Sequence, residues 1–218
     1  SKTIVSNAIG QGEVLMTPIQ LANMMATVAN RGYYYTPHII KKIKGEVIDK
    51  KFRTKHVTTV NKEHFETMVS GLFDVYNFGT ASGLRVEGID ICGKTGTAEN
   101  FTIIDGKRVQ LKDHSIFVAF APKDNPKIAI AILVENGGYG ATIAGPIASL
   151  MLEKYIRGKI TRKDLETRIL ARDLRPEYNR FIKNPINDTL INVTKTNTLL
   201  KPAAKDSSAA TKSAASQG

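Results

Sequence analysis

Gly93-Lys94-Thr95-Gly96-Thr97 is the stretch on which the fold of this 218-residue chain turns. It continues directly from Ile89–Cys92, a strand-like run, so its lysine and threonines are expected on a β-strand rather than in a loop. A strand holds the Lys94 ammonium as a fixed positive charge. Thr95 and Thr97 add hydroxyl donors suited to a carboxylate, and Gly96 has no side chain to keep another backbone away. An exposed strand edge here would also pair with an extended peptide. Lys94, Thr95, Gly96 and Thr97 are therefore candidate binding residues for an anionic, peptide-like ligand. The plainer alternative is a surface lysine in a Thr/Gly turn. Lys-Thr-Gly arises by chance in roughly 3% of chains this long, so its surroundings must decide.

Downstream, Ile116–Phe120 and Ile128–Val134 read as strands, with the turn chemistry of Ala121–Pro126 joining them into a hairpin. The second strand is apolar throughout, which implies burial on both faces. Upstream, Thr17 is a good N-cap, Pro18 suits the first helical position and Gln20 falls at the capping-box position. Leu21, Met24, Met25 and Val28 recur at helical spacing, and Gly32 is expected to end that helix. His38–Ile43 and Glu46–Asp49, joined at Lys44-Gly45, suggest a small hairpin. Asn61 caps a second helix whose buried stripe is Phe65, Met68, Val69, Leu72, Phe73 and Tyr76. Asn77–Gly83 is a loop of small residues. Asn136–Gly140 is a flexible loop that either borders a cleft or merely serves a turn. A helix over Ala144–Ile156 is expected to bury Ile147, Leu150, Met151 and Tyr155. Thr161 and Asp164 form a capping box for a short helix through Leu174, stopped by Pro176. This order predicts an α+β fold in which helices cover an antiparallel sheet. Residues 1–156 are read as one unit, 157–200 as a basic, partly helical extension, and 201–218 as a disordered Ala/Ser/Lys tail.

Composition narrows the function. Hydrophobic residues make up 42% of the chain, and the single cysteine, Cys92, rules out an internal disulfide. Cys92 is read as a small buried strand residue rather than a reactive thiol. His38, His56, His64 and His114 match no zinc spacing, and no cofactor is implied. His114 has no identifiable triad partner, so a structural role is expected; Glu13 and Glu99 show no paired acid/base spacing. The Met24/Met25 pair is expected in the core. The longest apolar run, Ile128–Val134, is too short to cross a bilayer, so any anchor is expected upstream of Ser1. Residues 1–155 carry 18 basic and 14 acidic groups and 156–218 carry 13 and 6, so the net charge of +11 divides as +4 and +7. The basic tail could touch nucleic acid, anionic lipid or a cell-wall polymer, but a solvated extension is the simpler reading. The rest of the chain lacks the aromatic and basic interleaving of RNA-binding surfaces, and no nucleic acid partner is expected.

Lys-Thr-Gly is also the third motif of the penicillin-binding protein and β-lactamase set. Gly10-Gln11-Gly12, Thr17-Pro18-Ile19-Gln20-Leu21-Ala22, and Ala29-Asn30-Arg31-Gly32 with Pro37-His38 resemble the stretch before that strand in class B penicillin-binding proteins. Gly93-Lys94-Thr95-Gly96-Thr97-Ala98-Glu99 resembles the strand itself. His114–Pro122, Val134-Glu135-Asn136-Gly137-Gly138 and Ala144-Gly145-Pro146-Ile147-Ala148 continue the likeness in order, which covers about residues 7–156. Within the class the chain most resembles the elongation-type enzymes (penicillin-binding protein 2), with the division type second.

The resemblance implies the C-terminal part of a serine D,D-transpeptidase domain that cross-links peptidoglycan stem peptides and is acylated by β-lactams. It implies catalytic roles for Lys94, in the proton-transfer network, and Thr97, whose backbone N–H would form half of an oxyanion hole. Thr95 and Thr97 would bind the substrate carboxylate. It further implies a membrane glycosyltransferase partner and a place on the extracytoplasmic side of the bacterial inner membrane. One departure stands out: none of the ten serines has Lys three residues on or Asn two residues on, so both Ser-x-x-Lys and Ser-x-Asn are missing. They are expected before Ser1, and the 218-residue chain alone is expected not to be acylated. A β-lactamase or β-lactam sensor of the same fold, and a non-catalytic binding module using the basic tail, are the other functions considered.

Overall fold

The computed structural model describes residues 2–179 apart from Glu13 and Lys41. Expectations for residues 180–218, including the disordered tail, and for Glu13 lie outside the described residues. Helix α1 (Lys2–Ala8) leads through the Gly10–Gly12 turn to α2 (Pro18–Ala29). Thr17 is the N-cap of α2, and Gln20 Oε1 accepts from the Thr17 N–H at 2.8 Å. The end of α2 differs from expectation. Asn30 is the C-cap, Arg31 takes the first left-handed position at φ 55°, and Gly32 follows it at φ 105°. Arg31 N–H bonds Val28 O and Gly32 N–H bonds Thr27 O, the two bonds of a Schellman closure. The Arg31 guanidinium holds that conformation by donating to Ala29 O, Lys123 O and Glu66.

Strand β1 (Tyr33–Tyr35) pairs antiparallel with β2 (Lys55–Val57), with the short helix α3 (Lys50–Arg53) just before β2. Among the described residues of 38–49 the expected hairpin is absent, although its turn exists, with Gly45 at φ 83°. The pairing goes to the tyrosine strand instead. Tyr34 stacks on His56 at 5.0 Å, and the Lys55 ammonium lies 3.8 Å from the Tyr33 ring centre. The unpaired loop borders an open apolar groove of about 720 Å³ lined by Pro37, Ile40, Ile43, Val47 and Phe52.

Helix α4 (Lys62–Phe78) buries Phe65, Val69 and Tyr76 from the expected stripe, while Met68 lies outside it, about half exposed. Strand β3 (Cys92–Ala98) carries the Lys-Thr-Gly sequence. Strands β4 (Phe101–Ile104) and β5 (Lys107–Gln110) form a separate small hairpin that the sequence reading overlooked. Its turn, Asp105-Gly106, has both residues at positive φ, 50° and 74°, as a type I′ turn requires. Strands β6 (His114–Ala121) and β7 (Ile128–Val134) form the expected hairpin, and the sheet order is β3-β6-β7, all antiparallel.

Two cores flank this sheet. Met25, Val28, Phe65 and Val69 of α2 and α4 pack with Cys92 and Phe120 on one face. On the other face, Phe117, Ala119 and Ile130 pack against Ala144, Ala148 and Leu152 of helix α5 (Ala144–Arg157). The result is the α+β arrangement expected, with an antiparallel sheet between helices. β7 is covered by α2 and α5, but it is an outer strand, so only Ile130 is buried and Leu133 stays 38% exposed. The Met pair divides: Met25 is in the core and Met24 is 42% exposed.

The buried face of α5 also differs from expectation. Leu150 is buried as expected and Ile147 is half-buried, but Met151 and Tyr155 are exposed, at 49% and 61%, while Ala144, Ala148, Ser149, Leu152 and Glu153 are buried. Small residues let the helix approach the sheet closely, so hydropathy alone points to the wrong stripe. The buried Glu153 meets Arg162 at 3.0 Å and accepts from both the N–H and the hydroxyl of Thr161. Thr161 is thereby taken from the expected capping box. Helix α6 (Lys163–Leu170) is capped at Arg162, and Pro176 lies in the first turn of α7 (Arg175–Asn179). No described helix is long and apolar enough to cross a membrane.

Candidate active site

β3 pairs only with β6, so its other edge is open among the described residues. Strand pleating then separates the candidate residues. Lys94 lies opposite Val118 in the register and shares the α2/α4 face with Cys92. Thr95 and Thr97 lie opposite Phe117 and Ser115 on the α5 face. The sequence grouped these three side chains as one wall; the structure sets the lysine and the two threonines on opposite faces, with the Lys94 ammonium reaching the strand's unpaired edge. There the exposed Lys94 bends so that Nζ donates to Thr95 O at 2.8 Å.

The space left by Gly96 is used within the fold. A Cβ on Gly96 would come 3.3 Å from Ile116 Cβ, and one on Gly140 would come 2.6 Å from Gly96 O. The Asn136–Gly140 loop therefore lies directly on the Thr95/Thr97 face of the strand. The buried Ser115 hydroxyl fixes it by donating to Tyr139 O at 3.0 Å and accepting from Ala144 N–H at 3.1 Å. His114 Nδ1 accepts from Asn136 N–H at 3.2 Å, which gives it the structural role expected.

Two further residues meet the strand that the sequence reading had not placed in the site. Thr80 Oγ1 lies 3.0 Å from Thr95 Oγ1. A cavity of about 390 Å³ begins at Thr80 and runs past Thr142 and Pro146 to Arg168 and Arg172, extending positive charge away from the strand. Gln11 reaches the open edge itself: its Nε2 donates to Thr97 O at 2.7 Å, and its Oε1 accepts from Glu99 N–H at 3.3 Å. The Gly-Gln-Gly motif was the available signal for Gln11. Nothing in the small-residue loop marked Thr80.

The remaining groups are bystanders. Cys92 is fully buried, and burial pushes its thiol up to about 12. Glu99 faces Arg108 at 3.5 Å, and Arg108 lies over the Phe101 ring. Among the described residues no cluster of His, Cys, Asp and Glu suits a metal. What the edge offers is one exposed cation, two hydroxyls and the outward backbone N–H groups of Thr95 and Thr97. Such a set suits an extended, anionic peptide.

Known proteins combine the same elements. The family described as the penicillin binding protein transpeptidase domain matches residues 1–153. The peptidoglycan D,D-transpeptidase MrdA of Haemophilus influenzae is 30% identical over 72% of this chain and 26% of its own length. The MrdA of Acinetobacter baumannii is 37% identical over 64% of this chain and 22% of its own. The chain thus spans about a quarter of the curated relatives it matches. Among solved structures, Pseudomonas aeruginosa PBP2 in complex with WCK 5153 superposes with a TM-score of 0.57 at 30% identity, over 74% of this chain and 34% of that one. Penicillin-binding protein A from M. tuberculosis, as an imipenem acyl-enzyme, gives 0.58 at 30% identity, over 68% and 33%. With most of its length matched and its marker strand sitting at an open sheet edge, the chain belongs to the penicillin-binding protein transpeptidase family.

Proposed function

We propose that this chain supplies the peptide-binding wall of a peptidoglycan D,D-transpeptidase of the elongation type. The observation that carries the reading is the edge of β3 left unpaired by other strands, to which the exposed Lys94 folds so that Nζ donates to Thr95 O. In this reading the substrate is a stem peptide ending in D-Ala-D-Ala. Its terminal carboxylate is drawn to Lys94 and bound by the Thr95 and Thr97 hydroxyls, and its backbone lies along the strand edge. The N–H of Thr97 serves as one oxyanion donor. A serine hydroxyl attacks the penultimate D-Ala carbonyl, and the terminal D-Ala leaves carrying a proton. An amine of a neighbouring strand then attacks the resulting ester and releases the serine. β-Lactams acylate the same serine.

No serine of this chain has the Ser-x-x-Lys spacing, so the reading places the nucleophile outside these 218 residues. Residues 1–156 form the C-terminal part of the transpeptidase domain, and 157–200 are an extension held at its root by Glu153 and Arg162. The MrdA relatives, named as peptidoglycan D,D-transpeptidases, support the activity. A membrane glycosyltransferase partner and an extracytoplasmic location at the inner membrane follow from the same reading.

The test is D-Ala release from a D-Ala-D-Ala pentapeptide by the full polypeptide encoded around these residues, with transfer of the acyl group to an added amine. Lys94→Ala should abolish both. Release without any transfer to amine, or transfer untouched by the substitution, would refute the proposal.

A further inference from the structure

The outward-facing backbone groups of β3 are not all free. On an antiparallel strand, residues alternate between facing the partner strand and facing away. The bond from Gln11 to Thr97 O marks Thr97, and with it Thr95 and Glu99, as outward-facing. Of these groups, Thr95 O is taken by Lys94 Nζ, while Thr97 O and Glu99 N–H are both taken by the single Gln11 carboxamide. One side chain therefore acts as a peptide group of an absent neighbouring strand would, donating and accepting on the same edge. It does so across 86 residues of sequence.

The turn that presents Gln11 is built for this. Gly10 sits at φ 74°, in the left-handed region. A Cβ on Gly12 would run into the Asn7 side chain. The Gln11 N–H bonds Ser6 O at 2.9 Å, tying the turn back to the end of α1. Gln11 itself is half-buried.

We infer that Gln11 is a positioning residue for the reaction: it fixes the Thr97–Glu99 backbone so that the Thr97 N–H stays aimed along the open edge at the developing oxyanion. The inference rests on the transpeptidase reading above. Gln11 acts through Thr97 and touches no reacting atom. Without it, the last outward residues of an edge strand have no lateral partner, and the strand that carries the Thr97 N–H is held only from the β6 side.

The test separates acylation from binding and from stability. In the full polypeptide, Gln11→Leu keeps the side-chain bulk but can neither donate nor accept. Gln11→Glu keeps the acceptor for Glu99 N–H and loses the donor for Thr97 O. Penicillin acylation is followed by stopped flow to resolve the first-order acylation constant from the preceding binding constant. Gln11→Leu should lower the acylation constant at least ~10-fold, short of the ~100-fold or more seen when an oxyanion donor is removed outright. Its binding constant and melting temperature should stay near those of the unsubstituted enzyme. Gln11→Glu should show the same split and carries the test if Gln11→Leu does not fold. An unchanged acylation constant, or a loss matched by a fall in folded fraction, would overturn the inference. Failure of the unsubstituted enzyme to be acylated at all would instead sink the transpeptidase reading beneath it.

Discussion

Lys94 is the residue whose environment changed most between sequence and structure. The motif made Lys94, Thr95 and Thr97 look like one surface, yet strand pleating puts the lysine on one face and the threonines on the other. Only the length and flexibility of a lysine chain bring its charge round to Thr95 O. The candidate residues were legible because chemistry was concentrated in five consecutive positions. Gln11 was legible as part of a motif but not as a neighbour of Thr97, since a side chain bridging 86 residues leaves no periodic trace. Cys92 gives a prediction at this scale. With its thiol pushed up from 9.0 to about 12 by burial, it stays protonated at neutral pH. Iodoacetamide at pH 8 should label it only after denaturant is added. The raised value has a definite sign for stability: the unfolded thiol ionises above about pH 9 while the folded one does not. The Cys92 contribution is therefore present below pH 9 and is lost as pH rises toward about 12. Replacing Cys92 with Ala should flatten that part of a stability-versus-pH curve.

Among the elements, β6 and β7 were readable because long apolar strands with turn residues between them have few alternatives, and α2 because Thr17, Pro18 and Gln20 spell its start. Strands β1 and β2 were not, being three residues each and too short for any period to show. The face of α5 was misread because hydropathy favours Met151 and Tyr155, whereas close approach to the sheet favours Ala144 and Ala148. That difference is testable. Ala148→Leu should overpack the core and destabilise by about 1–3 kcal/mol, and Met151→Ala should change stability by less than ~0.5 kcal/mol, both from denaturant melts. The reverse order would restore the hydropathic stripe. The join between α5 and α6 gives a second prediction. Burial alone would raise the Glu153 carboxyl, but bonds from Thr161 and Arg162 outweigh it and hold the group below the ordinary 4.5. Its stabilising effect is therefore present above 4.5 and is lost as pH falls through the folded value. Glu153→Ala removes the carboxylate that Arg162 and Thr161 share, leaving Arg162 only Leu84 O and Ser149 Oγ as partners, and should cost about 3 kcal/mol at pH 7. That penalty should shrink on acidification, read from melts at pH 7 and pH 3.

At the scale of the molecule, an antiparallel sheet between two helical layers leaves the outer edges of β3 and β7 unpaired among the described residues, and the chain's marker motif sits on the first of them. The layered α+β plan followed from the order of helices, strands and hairpin. The bridge from Gln11 and the loop over Gly96 required the folded chain, because each depends on glycines that let distant backbone segments touch. The central claim is that this edge binds the acylating ligand while the attacking serine comes from elsewhere. Intact-mass spectrometry after incubation with penicillin tests it most directly. The account predicts one penicillin adduct on the full polypeptide, at least ~100-fold slower adduct formation with Lys94→Ala, and none on the 218-residue chain alone. A stoichiometric adduct on the 218-residue chain, or an unchanged rate with Lys94→Ala, would contradict it.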